Sequence, residues 1–153
     1  MANQITEYLI DRVPKGWFEG DPAVEWDDEE ILCTGVLPPP EEVDAFRESS
    51  RTERMAIAAE AELRFGRKMS WGATRGGLTT MFTTQSTPVM SRLRFRERAV
   101  LDTLIEAGVA RSRSEAVSWC VKLVGRHEGD WLDELREALT GVEGVRNGGP
   151  TLI

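Results

Sequence analysis

From Ser112 onward the chain spells a helix that is apolar over too much of its surface to stand alone. Ser112 followed by Glu115 is a capping box, in which a hydroxyl and a carboxylate satisfy free amide donors, so a helix starts at about Arg113. Ala116, Val117, Cys120, Val121, Leu123 and Val124 then cover a wide arc of that helix. A surface helix carries one apolar stripe. This arc predicts burial from two sides, as in a helix shared between two chains.

The residues just before it narrow the choice further. Val89, Leu93 and Phe95, with the small Ser91 between them, alternate with Met90, Arg92 and Arg94. That pattern predicts a strand over residues 89–95 with one apolar and one basic face. A lone short strand leaves its backbone groups unsatisfied, so it must pair with a neighbouring hairpin or with a copy of itself. A helix is predicted next, from about Arg96 to Ala107, with Val100, Leu101, Leu104 and Ile105 as its buried stripe and Gly108 as its stop.

Strand, helix and a second apolar helix opened by Ser112-Arg113-Ser114-Glu115 together resemble the ribbon-helix-helix family of repressors and antitoxins. The resemblance covers residues 88–125. It implies an intertwined homodimer whose paired strands enter the major groove of double-stranded DNA. It places Met90, Arg92 and Arg94 on the base-reading face, where arginine donates two bonds to guanine. It assigns phosphate binding to Arg111, Ser112, Arg113 and Ser114 at the start of the second helix. It puts Leu93, Leu101, Leu104, Val117, Cys120, Val121 and Val124 in the dimer core. The chain departs from the family in two ways. About 87 residues precede the strand, and Phe95-Arg96-Glu97-Arg98 replaces the usual proline-plus-acid helix start. The strand end is therefore open by one residue, and a one-residue slip exchanges its two faces.

The net charge of −7 argues at first against a nucleic-acid partner, but its distribution matters more. Residues 1–50 hold 13 acids and 3 bases, residues 51–113 hold 6 acids and 12 bases, and residues 114–153 hold 7 acids and 4 bases. A basic middle between acidic ends still makes a local positive surface. The acidic first part, residues 1–50, would recruit a protein partner, act as a sensor or restrain DNA binding. In the alternative reading of the charges, the ends only solvate the protein and neutralise the middle.

Other chemistry has little to stand on. The two cysteines, Cys33 and Cys120, and the single His127 have no metal-ligand spacing, so no metal site and no cofactor are expected. No phosphate loop, nucleophile elbow or flagged carboxylate pair occurs, which makes an enzyme the weakest reading. No apolar run approaches the ~18 residues that cross a bilayer, and Met1-Ala2-Asn3-Gln4 lacks a secretory profile, so a cytoplasmic protein without a membrane partner is expected.

The first 87 residues predict a mixed region. Ile5, Leu9 and Val13 mark a short helix, and residues 23–26 and 31–36 read as two strands joined by Asp27-Asp28-Glu29-Glu30. Pro38-Pro39-Pro40 is a stiff break. A helix then runs to Phe65, open to interruption at Ser49-Ser50, with Gly66 as its cap, and residues 69–84 read as a β-hairpin. A further helix is predicted over residues 130–139, with Trp131, Leu135 and Leu139 on one face. The expected architecture is α+β, with an acidic region at 1–38, a helix plus hairpin at 39–87, a ribbon-helix-helix module with an extra helix at 88–146, and a flexible tail at 147–153. Two functions remain open: a dimeric sequence-specific DNA-binding regulator, or the same fold kept as a protein-interaction and dimerisation module.

Overall fold

A computed structural model describes residues 2–150 of the 153-residue chain. The expected tail therefore lies partly outside the described residues. The chain is mixed α+β, with four strands and six helices among the described residues, and it divides after Val89 into two compact units.

In the first unit, α1 (Ala2–Arg12) precedes the hairpin of β1 (Ala23–Trp26) and β2 (Glu30–Thr34). The Asp27 side chain closes the turn by accepting from the amides of Glu29 and Glu30. Two helices follow, α2 (Val43–Ser49) and α3 (Arg51–Phe65), then the hairpin of β3 (Lys68–Arg75) and β4 (Leu78–Met81). The interruption falls at Ser50, whose hydroxyl donates back to the Phe46 carbonyl. Gly66 ends α3 at φ 68°, a left-handed cap that glycine enters without steric cost.

The four strands make one sheet in the order β1-β2-β3-β4. Its centre is a parallel pairing of β2 with β3, Cys33 opposite Trp71. Parallel neighbours need a long crossover, and α2 and α3 supply it. The three prolines at 38–40 thus punctuate a connection inside one unit, and residues 1–38 and 39–87 share a single sheet. β3 is buried from Met69 to Ala73 on both faces, as a central strand should be.

Ile5, Leu9 and Val13 join Ile31, Cys33, Ile57, Ala61, Met69 and Trp71 in one core, with Phe18, Phe46 and Phe82 completing it. Gly35 is required there, because a Cβ would sit 2.1 Å from the Phe18 ring. Burial pushes the Cys33 thiol up to about 12, which leaves it an unreactive core residue. Ile57 is fully buried. Ile57→Ala is expected to cost ~2–5 kcal/mol by urea denaturation, through lost transfer energy and the cavity left behind.

The second unit holds α4 (Phe95–Glu106), α5 (Arg113–His127) and α6 (Gly129–Asn147). α6 runs well beyond the expected residues 130–139. No helix among the described residues is long and apolar enough to cross a membrane.

Candidate nucleic-acid interface

Residues 89–94 form neither strand nor helix in the single chain. The predicted strand over 89–95 is thus absent here, and Phe95 is the first residue of α4. The reason is physical. The strand pattern is present, but among the described residues no strand pairs with this stretch, and a strand exists only as part of a ladder. Arg94 has extended geometry at φ −84° and ψ 178° as the N-cap of α4. Met90 is 92 % exposed, and Arg92, Arg94 and Arg96 are also exposed. Leu93 alone of the predicted apolar face turns inward, while Val89 and Phe95 stay in solvent. Arg98 donates to the Leu93 carbonyl at 2.7 Å and fastens the extended segment to α4. No local spacing rule foretold that bond.

α4 ends at a glycine stop, as its sequence predicts. Gly108 takes φ 76°, and the amides of Gly108 and Val109 donate to Ile105 and Leu104 carbonyls. The start of α5 also follows its sequence signal. Ser112 is the N-cap, and its Oγ accepts from the Glu115 amide at 3.1 Å. The Glu115 carboxylate reaches one residue further back than a capping box requires, accepting from the Arg111 amide at 2.7 Å.

The four residues assigned to phosphate binding, Arg111, Ser112, Arg113 and Ser114, are consecutive and all exposed at this helix start. Two already have anionic partners. Arg113 donates twice to Asp102 of α4, at 3.0 Å each, and the Arg111 Nε lies 3.6 Å from Glu115. The spacing of residues 102 and 113 gave no warning of the first pair. Hydrogen bonding from Arg113 holds the Asp102 carboxyl below the usual carboxylate range. Its contribution to folding is therefore full above the ordinary Asp pKa and is lost as pH falls through the depressed value. In a carboxyl NMR titration, Arg113→Ala is expected to move the Asp102 midpoint upward. By contrast, Arg92, Arg94, Arg96 and Arg98 belong to no ion pair among the described residues.

The core of this unit is small. Leu101, Ala110 and Ala116 are buried, with Leu93, Leu104, Ile105, Val117 and Cys120 partly buried against them. Val121 and Val124, the remaining residues assigned to a dimer core, are 66 % and 47 % exposed. On α6, Trp131, Leu135, Leu139, Val142 and Val145 are exposed as well, and no residue is buried.

Comparison with known proteins covers both units. Residues 3–81 match the family described as Rv1265-like protein, N-terminal domain, and residues 94–146 match the Mb1296 C-terminal domain. Mb1296 of Mycobacterium bovis and Rv1265 of Mycobacterium tuberculosis are each 49% identical over 163 residues, spanning 99% of this chain and 72% of theirs. The chain belongs to the Rv1265-like family. No solved structure matches it. In this Rv1265-like chain, Met90 and Arg92 fall between the two matched stretches, while Arg94 opens the second.

Proposed function

We propose that this Rv1265-like chain is a dimeric, sequence-specific DNA-binding protein, a regulator whose residues 89–94 pair with those of a second copy and enter the major groove. One observation carries the reading: an extended, exposed segment with unpaired arginines leads directly into two helices whose apolar surface is left in solvent. Two copies would supply the missing ladder partner and the missing cover together. Arg92 and Arg94 would read base edges, and the start of α5 would hold a phosphate.

A specific observation favours the second reading, a dimerisation and protein-interaction module. The cations at the start of α5 are engaged by Asp102 and Glu115, which lowers the attraction of that helix end for phosphate.

Light scattering on the purified chain, followed by selection of bound sequences from a random duplex pool, separates the two. The DNA-binding reading expects a dimer, an enriched motif and an affinity that falls steeply with salt, because phosphate contacts release counterions. A dimer that enriches no sequence, even at low salt, would leave only the interaction module.

A further inference from the structure

Away from residues 89–94, the first unit holds a second group of arginines. Arg47, Arg51 and Arg54 follow one another at helical spacing across the junction of α2 and α3. Arg54 is only 7 % exposed. A guanidinium so deeply buried ordinarily faces a carboxylate. Here Nε donates to Ser50 Oγ at 2.9 Å and Nη2 to the Arg47 carbonyl at 2.7 Å, both neutral acceptors. The guanidinium lies over the Phe82 ring, 4.6 Å from its centroid, and Arg47 lies 5.6 Å from the same centroid.

None of the three arginines has an ion-pair partner among the described residues. Glu53, the acid between Arg51 and Arg54, is paired instead with Arg12 across 3.2 Å. Burial, then the like charges of Arg47 and Arg51, lower the Arg54 pKa, in keeping with a site short of negative charge. Three like charges at this spacing repel one another. They stand in a chain of net charge −7, where carboxylates to neutralise them are plentiful.

We propose that Arg47, Arg51 and Arg54 form a binding site for a phosphoryl group. Arg54 is held in place by Ser50, the Arg47 carbonyl and Phe82, so its fork is set before the ligand arrives. Arg51 is exposed and free to close on the anion, and Arg47, also exposed, is held beside Arg54 by one bond from Nη2 to the Phe82 carbonyl at 3.3 Å, which leaves its other donors for the ligand. A phosphoryl group carries up to two charges and three acceptor oxygens, which suits three guanidinium groups better than a single carboxylate does. The group is either a free phosphate, which has that full charge, or a phosphodiester of a duplex backbone, which offers one charge and two unbridged oxygens, and the two sources are separable.

The test titrates the full chain with inorganic phosphate, and separately with pyrophosphate, by calorimetry at an ionic strength held constant with chloride. The duplex arm uses random-sequence DNA and the Arg92→Ala/Arg94→Ala chain, so that residues 89–94 do not contribute. In each arm the chain is compared with Arg47→Ala/Arg51→Ala, its fold checked by circular dichroism because Arg47 also holds the Phe82 carbonyl, and with Arg64→Ala. Arg64 is another exposed arginine of α3, lying over the Tyr8 and Phe65 rings. The expected result is saturable binding that weakens about tenfold or more in the Arg47/Arg51 variant and is unchanged by Arg64→Ala. A response confined to the inorganic anions identifies a free-phosphate site, and one confined to the duplex identifies a backbone contact. No saturable binding in either arm, or equal binding by the Arg47/Arg51 variant, overturns the proposal. Because the duplex arm lacks Arg92 and Arg94, its outcome does not depend on the base-reading role given to them above.

Discussion

Replacing Arg92 and Arg94 together with alanine is expected to weaken specific duplex binding by at least ~10³-fold and to abolish sequence preference. The proposed symmetric dimer would present each position twice, so the double substitution would remove four guanidinium groups from the groove. Each bidentate arginine–guanine contact is worth ~1–3 kcal/mol, so even the low end gives about 4 kcal/mol, or three decades in affinity. Both side chains are exposed and free of ion pairs among the described residues, so their removal costs the fold no salt bridge. Binding isotherms on a selected sequence and on a scrambled one supply the measurement. Unchanged preference in the double variant would move base reading elsewhere in the molecule.

Val121→Glu is expected to turn the proposed dimer into a monomer at micromolar concentration while leaving the monomer folded. Val121 is 66 % exposed in the single chain, and glutamate is a good helix former, so a free monomer loses almost nothing. In a dimer the same position would be covered, and two unpaired carboxylates would be buried at once. An uncompensated buried charge costs about 3–5 kcal/mol, enough to dissolve an interface of moderate strength. Lys122→Glu, one residue along and exposed, changes charge without entering that face and is expected to leave the dimer intact. Light scattering reads both variants. A dimeric Val121→Glu chain would place the interface elsewhere and remove the reason for pairing residues 89–94.

The two predictions stand on different kinds of support. The second follows from surface left uncovered in a small unit, where Leu101, Ala110 and Ala116 alone are buried among the described residues. The first adds an assignment of faces that the alternation of residues 89–95 carries by itself. Met90, Arg92 and Arg94 are outward in the structure, but so are Val89 and Phe95, because the single chain has nothing to cover them.

What the sequence determined alone was written in short-range chemistry. The start of α5 followed from a hydroxyl and a carboxylate three residues apart, the ends of α3 and α4 from glycines able to take positive φ, and the hairpin of β3 and β4 from threonine- and aromatic-rich stretches around paired glycines. Each of these signals acts over a few residues of contiguous chain, so no knowledge of the rest was needed. The tertiary structure alone decided the parallel pairing of β2 with β3 across the prolines, the tie between Asp102 and Arg113, and the burial of Arg54 on Phe82. These join residues distant in the chain, and their formation depends on which surfaces the core brings together. For residues 89–94 the single chain decides less still, since a strand is defined by its partner and no strand among the described residues pairs with them.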